Sequence, residues 1–223
     1  MFPVKLDKQY DHLPAFERVT NLLRDEMIAG KITVGQTLGE LELSERLESS
    51  RNTIREALRQ LLCEGLVDYQ RNKGVTVRRL EYNDVKDIYT VRRTLELQAL
   101  LSTRDIKKEI LFGMEESLNK VEAAVAVGNW TEVATNSLRF HQSIVSILGS
   151  QRFDSFFATI IAQLRLLFAN APDEKYFQQP WVEKDRDILN RLLSGDRQST
   201  SERFALYLDE SEQKLLKLYN QER

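Results

Sequence analysis

Residues 41–77 read LELSERLESSRNTIREALRQLLCEGLVDYQRNKGVTV, and the division of this run decides the fold of the N-terminal part. A short helix from about Glu40 to Glu48 is broken at Ser49-Ser50, and either serine can cap a following helix. That second helix places Ile54, Leu58, Leu61 and Leu62 at the spacing of a core-facing stripe. Arg51, Arg55 and Arg59 recur at i, i+4, i+8 on the neighbouring face, with Asn52 and Thr53 near the helix start. Gly65 ends the helix. Leu66–Gln70 and Val75–Arg79 read as two short strands joined by the basic turn Arg71-Asn72-Lys73-Gly74. Helix, turn, helix and a two-stranded wing present one helix to a DNA major groove and one hairpin to the backbone. An arginine stripe taken alone more often means a solvated surface helix. The serine break, the stripe, Gly65 and the basic turn together favour the groove.

The charge distribution agrees with this reading although the net charge does not. The chain of 223 residues carries a formal charge of −2. Residues 46–79 hold eight Lys/Arg against four Asp/Glu, a local excess of four positive charges. Phosphate contacts are local and screened within about 10 Å, so the local figure governs. A basic head on an acidic body also orients a protein on DNA.

Composition bounds the remainder. A hydrophobic fraction of 42% supports real cores, and 223 residues can hold two domains. The single cysteine, Cys63, excludes an internal disulfide framework and is expected as small core filler. There is neither a signal-peptide pattern nor an apolar run of membrane-spanning length, so a cytoplasmic protein with no membrane partner is expected.

Residues 43–77 resemble the winged-helix domain of the GntR family of bacterial transcription regulators. The shared residues are Ser50-Arg51, Ile54-Arg55-Glu56-Ala57-Leu58, Leu61, Glu64-Gly65-Leu66-Val67 and the Lys73-Gly74 turn. Upstream, Leu22-Leu23-Arg24, Ile28, Gly30, Gly35 and Leu38-Gly39-Glu40 fall where the family has its first helix and following turn. Leu41 stands where some members carry a DNA-contacting arginine. Base preference is therefore not transferable from them.

After Arg79 no alternating strand pattern recurs. Long apolar-periodic segments separated by caps predict six helices: Asn83 to Ser102, with Val85, Ile88, Tyr89, Leu95 and Leu100 inward; about Arg104 to Val127; Asn129 to Leu148; Arg152 to Asn170, stopped by Pro172; from Pro180 to Ser194; and Asp196 nearly to the C-terminus. The expected architecture is mainly α: an N-terminal winged helix-turn-helix (1–80) followed by an all-α antiparallel helical bundle (81–223) for effector binding and dimerisation. Arg92–Glu96 (RRTLE), Phe140-His141, Arg165 and the Ser194-Gly195-Asp196 break resemble the ligand-sensing FCD domain of the FadR subgroup.

Many members of that subgroup hold a divalent metal through an Asp and a His four residues apart, with two further His on later helices. The resemblance places Ser137, His141, Asp185 and Tyr207 at those positions, so only one histidine survives. The other histidine, His12, lies outside the bundle. One imidazole and one carboxylate are a poor set for zinc or nickel, and no metal or other cofactor is expected. The polar groups still have to find hydrogen bonds in the bundle interior. Arg92 and Arg165 are candidate cationic lining for a carboxylate. The alternative is structural: Arg92 pairs with Glu96, and His141 is a satisfied core histidine. Phe153, Phe156, Phe157 and Phe168 leave a lipid-like or neutral effector as an alternative, although such an aromatic set is more often core or dimer interface than ligand cage.

No paired Glu-x-x-His cluster, glycine-rich phosphate loop or nucleophile elbow occurs, so catalytic residues are not expected. The sequence implies a homodimeric regulator, a repressor, on an inverted-repeat operator in double-stranded DNA. A small-molecule effector, an organic acid or other anionic metabolite, would bind at Arg92, Ser137, His141, Arg165, Asp185 and Tyr207. The DNA side would use Ser50, Arg51, Asn52, Thr53, Arg55, Arg59, Arg71, Asn72, Lys73 and Gly74. A metal-dependent regulator and a DNA-binding dimer without effector are the alternatives.

Overall fold

A computed structural model describes residues 10, 12–102, 105–171 and 173–220. The chain divides into two compact units between Arg79 and Leu80.

In the first unit, α1 (Ala15–Ile28), α2 (Glu40–Arg46) and α3 (Arg51–Cys63) are followed by the hairpin β1 (Val67–Gln70) and β2 (Gly74–Val77). Val19, Leu23 and Met27 of α1 are fully buried, as are Ile54, Ala57 and Leu61 of α3, and the two helices pack together. Two bidentate ion pairs tie α1 to both helices of the motif. Arg24 donates to Glu64 just past α3 at 2.7 and 3.2 Å, and Arg46 of α2 donates to Glu26 at 2.8 Å twice.

Ser50 caps α3, its hydroxyl accepting from the Thr53 N–H at 3.1 Å. The helix ends as a Schellman motif: Gly65 has φ 66°, its N–H bonds the Leu62 carbonyl, and the Leu66 N–H bonds that of Leu61. Glu48 takes the same left-handed role after α2, at φ 48°. Two expectations fail here. Leu62 is 43% exposed and Cys63 is exposed. At 100° per residue, Leu62 lies about 80° from Ile54 and Cys63 about 180° from it, so Ala57 completes the core stripe instead.

β1 starts one residue later than expected and stops at Gln70 as expected, whereas β2 starts one residue early, at Gly74, and stops two residues early, at Val77. Val67 pairs with Val77 and Gln70 with Gly74. The tip closes through the Lys73 N–H to the Gln70 carbonyl at 3.0 Å, with Asn72 at φ 72° in the third turn position. The stretch before α2 flanks β2: Thr37 bridges Thr76, and the Leu38 N–H bonds the Val75 carbonyl at 2.9 Å.

The second unit is helical throughout its described residues: α4 (Tyr82–Arg92), a π turn (Arg93–Leu97), α5 (Gln98–Leu101), α6 (Lys108–Ala126), α7 (Trp130–Ser146), α8 (Gln151–Leu167), a 3-10 turn (Phe168–Asn170), α9 (Glu174–Leu193) and α10 (Arg197–Asn220). The five inward residues expected for the first of these helices are buried, although its hydrogen-bond ladder widens at the π turn. Asn129 and Asp196 cap α7 and α10, accepting from the Glu132 and Ser199 N–H groups. The expected starts and stops at Arg104 and Pro172 lie outside the described residues.

α7 is central, packing on α5, α6, α8 and α9. Residues 133–138, Phe140, His141, Ile144 and Val145 are all buried, as a helix surrounded by others requires. α9 starts at Glu174, six residues earlier than expected, and carries Pro180 in its interior. Its cap is Asp173, which accepts the Tyr176 N–H at 2.6 Å, so the proline is a local interruption rather than a beginning. Phe157 and Phe168 are buried, whereas Phe153 and Phe156 are 43% and 50% exposed. No helix is long and apolar enough to cross a membrane among the described residues.

Candidate functional site

Two regions carry the sequence-predicted site residues, one in each unit. The first is the outer face of α3. Arg51, Asn52, Arg55 and Arg59 are all exposed on it, because the opposite stripe is committed to the core. Thr53 is half-buried and shares a hydrogen bond with Ser50, fixing the first turn. Asn52 donates to Glu56 one turn on, at 3.0 Å.

Arg55 has a partner that sequence reasoning missed. Its Nε and one terminal nitrogen donate to the two carboxylate oxygens of Glu40 at 3.1 and 2.9 Å, across the helix-turn-helix. The hydrogen bond to Arg55 holds the Glu40 carboxyl below its ordinary value, and the same bond raises Arg55. Among the described residues Arg51 and Arg59 have no ion pair; both face solvent and act on the Glu40 carboxylate at longer range. Arg71, Asn72 and Lys73 are exposed at the wing tip, and Gly74 is half-buried. Tyr69, 70% exposed on β1, is a large aromatic beside these cations that the strand pattern did not single out. Two separate cationic features therefore stand on this unit, the helix face and the hairpin tip.

The second region is a buried polar cluster around His141. Arg92 and Glu96 lie one turn apart across the π turn, at 2% and 0% side-chain exposure, and pair at 2.8 Å. His141 Nδ1 is 2.6 Å from a Glu96 carboxylate oxygen. A contact that short needs a proton between the two atoms, so Nδ1 donates to Glu96. The Arg92 nitrogen 3.2 Å from Nδ1 then finds its acceptor in Glu96 rather than the ring. In the neutral tautomer Nε2 accepts from the Tyr207 hydroxyl, 3.1 Å away. Ser137 donates to Asp185 at 2.7 Å, and the second Asp185 oxygen stands 3.8 Å from Nε2.

The structure thus brings Arg92, Ser137, His141, Asp185 and Tyr207 together and adds Glu96, expected only as a structural partner of Arg92. Arg165 is elsewhere. It pairs with Glu174 and lies over Phe168, and it does not line the cavity beside His141. That cavity is bounded by Tyr89, Arg92, Ser137, His141, Gln178 and Trp181 among others, with room for about one water molecule.

Electrostatics inside the cluster follow from burial and pairing. Burial opposes the charge on Glu96, but Arg92 and His141 outweigh it and hold the carboxyl below its ordinary value. Burial likewise works against the Arg92 charge, and Glu96 overcomes it, leaving the guanidinium even harder to deprotonate. Asp185 goes the other way: burial raises it, against the opposing effects of His141 and the Ser137 hydrogen bond. Burial and Asp185 push the Tyr207 phenol well above 10.

The donor set does not fit the metal that the FCD resemblance implies. One imidazole, one carboxylate and two hydroxyls already bonded to them stand at the four positions, and a guanidinium adds positive charge nearby. Among the described residues no three His, Cys, Asp or Glu side chains gather in a metal-holding geometry.

Comparison with known proteins places both units. Residues 15–77 match the family model for bacterial regulatory proteins of the gntR family, and residues 87–210 match the FCD domain. The uncharacterized HTH-type transcriptional regulator YdhC of Bacillus subtilis is 31% identical over 143 residues, which span 63% of this chain and 62% of that protein. The probable D-xylose utilization operon transcriptional repressor of Paenarthrobacter nicotinovorans is 24% identical over 182 residues, 80% of this chain and 79% of that one. A crystal structure from Rhodococcus sp. RHA1, assigned to the GntR regulators, superposes with TM-score 0.81 at 29% identity, covering 90% of this chain and 97% of its own. Regulation of transcription, not catalysis, is the business of these relatives. With both its winged helix and its FCD domain matched, the chain belongs to the GntR family of bacterial DNA-binding transcription regulators.

Proposed function

We propose that the protein is a homodimeric, cytoplasmic repressor whose two copies of α3 enter adjacent major grooves of an inverted repeat. The observation that carries this is the exposed face of Arg51, Asn52, Arg55 and Arg59 on a helix whose other side is core. Arginine to guanine is the commonest specific base contact. Arg51 and Arg55 lie in the half of the helix that enters the groove in such motifs, and Arg59 and the Arg71–Lys73 tip suit phosphate or minor-groove contacts. A two-fold dimer calls for a two-fold operator.

Residues 1–80 form the DNA-binding domain and residues 81–223 the effector and dimerisation domain in this reading. A small molecule bound beside Arg92, Ser137, His141, Asp185 and Tyr207 favours one dimer state over the other and so changes operator affinity. The expected anionic effector loses its main support, because Arg92 is answered by Glu96 and Arg165 by Glu174. A dimer that senses nothing is the second reading, favoured by the mutual satisfaction of Arg92, Glu96 and His141 and by the small cavity.

Fluorescence anisotropy on the protein's own promoter tests the first claim. A dimeric footprint with two-fold symmetry is expected, and equal binding to random duplex at all salt concentrations defeats it. Release of that DNA by a metabolite extract, reversed on dialysis, separates the sensor from the constitutive dimer.

A further inference from the structure

One face of α9 carries three buried polar atoms with no hydrogen-bond partner of acceptable geometry: Gln178 Nε2, Trp181 Nε1 and Asp185 Oδ1. Their residues are 3%, 4% and 1% exposed. The spacing i, i+3, i+7 puts them on one side of the helix. Gln178 and Trp181 line the cavity beside His141, and Asp185 follows one turn on, hydrogen-bonded to the cavity-lining Ser137. Protein interiors seldom leave buried polar groups unpaired. Two of these atoms belong to residues that line the cavity and the third to a residue that adjoins it, which marks a place where the missing partners arrive from outside.

The chemistry of the stripe restricts the arrival. Two of the atoms are uncharged N–H donors and the third is a carboxylate oxygen. The cation in the cavity lining, Arg92, is already paired with Glu96 within the interior, and Lys184, 5.0 Å from the centre of the Trp181 ring, is paired with Glu210. An incoming anion finds no free cation and meets the Asp185 carboxylate, with no water to screen it. A molecule whose oxygens accept from Gln178 and Trp181, and whose hydroxyl donates to Asp185, satisfies all three atoms without adding charge.

We infer that the helical domain takes a neutral polyhydroxylated ligand, a small sugar or polyol, along the Gln178–Trp181–Asp185 face. This rests on the effector reading above and names its ligand class. The three positions span about 10 Å along the helix, which suits a chain of four to six carbons bearing hydroxyls. The cavity holds only about one water in this state, so a ligand of that size enters only as the cavity lining opens. Pro180 is where the hydrogen-bond ladder of α9 is already cut.

The test uses the full chain and matched pairs: aldopentoses and pentitols, each against the aldonate of the same carbon skeleton. Thermal shift finds the binders and titration calorimetry ranks them. At least one neutral compound is expected to raise Tm saturably and to bind tenfold or more tightly than its aldonate. Asp185→Asn and Trp181→Phe should each weaken that compound about tenfold, and Gln178→Leu serves where either variant does not fold. An aldonate that binds more tightly than its neutral partner overturns the inference and leaves the effector reading standing. Silence from both series also overturns it, and release of promoter DNA by metabolite extract then decides the effector reading separately.

Discussion

Lys214 of α10 donates its ammonium to the carbonyl oxygen of Tyr176 at 2.6 Å, the oxygen that Pro180, four residues on, has no N–H to bond. The same ammonium lies 4.4 Å from the centre of the Tyr176 ring. Burial, reinforced by Lys184, lowers its pKa from the ordinary lysine value, which fits a cation drawn partly out of water. A proline that would orphan a carbonyl inside a helix is thus answered from a neighbouring helix. Lys214→Met should cost about 1 kcal/mol in chemical denaturation, the scale of a partly exposed charge-assisted hydrogen bond. In a Pro180→Ala background, where the N–H returns, the same substitution should cost clearly less. Equal costs in both backgrounds would detach the lysine from the proline.

In the proposed DNA-binding mode Glu40 would compete with DNA for Arg55. The carboxylate occupies one edge of the guanidinium, leaving the other terminal nitrogen for a base or phosphate. Glu40→Gln should raise affinity for random duplex several-fold and steepen the salt dependence by up to about one unit, as an extra free cation does. Arg55→Ala should erode operator-to-random discrimination about tenfold if the arginine reads a base. Unchanged discrimination would restrict Arg55 to its pair with Glu40.

At the wing, Lys73→Ala should weaken binding to all sequences alike and flatten the slope of log K against log salt by about one unit. A sequence-dependent loss would move Lys73 from phosphate to base contact.

The clamps from α1 set the attitude of the two helices that follow it. Arg24 and Glu26 are 8% and 6% exposed and bond outward to Glu64 and Arg46. Removing one member strands a largely buried charge, so Glu26→Gln should cost roughly 2 kcal/mol. Its loss in operator affinity should exceed what its stability loss alone predicts at temperatures where the variant is fully folded.

Two buried carboxyls should give opposite pH signatures. Glu96 is held below its ordinary 4.5 in the folded chain, so its stabilisation is full above that value and fades as pH falls through the depressed one. Asp185 is raised above its ordinary 3.8, so the fold is favoured while it is protonated and loses stability as pH climbs from there through the raised value. Asp185→Asn should therefore raise stability near neutral pH and flatten that decline. Glu96→Gln should lower it near neutral pH, with the difference from wild type shrinking in acid. Urea denaturation midpoints from pH about 2 to about 8 check both signs.

Much of the DNA-facing unit was legible because its signals are local. A capping serine, a 3.6-residue apolar period, a glycine in the left-handed region and a basic turn act within a few residues of themselves. Even there, the nominal stripe misassigned Leu62 and Cys63, which a stricter angular count puts on the outer face. The Arg55–Glu40 pair spans 15 residues and was invisible for that reason. In the helical unit, caps such as Asn129 and Asp196 are readable, but Pro180 reads as a beginning although it lies inside α9. A proline at the first turn and a proline rescued by a distant lysine look alike in one dimension.

Taken alone, the amino-acid order determined the element types and the order of a winged helix before a helical bundle, which follow from periodicity and short motifs, while the family follows from the resemblance of those motifs to GntR regulators. Tertiary packing alone decided which charges are spoken for. Arg92 could have been a free cation for an anionic ligand, but the fold sets it against Glu96, and it sends Arg165 to Glu174. The energy of a buried charge depends on what lies within a few ångströms. Sequence spacing offers Glu96 to Arg92 as one choice among several, and the contact that completes the cluster, His141 on Glu96, closes across 45 residues of chain, a distance not written in that spacing.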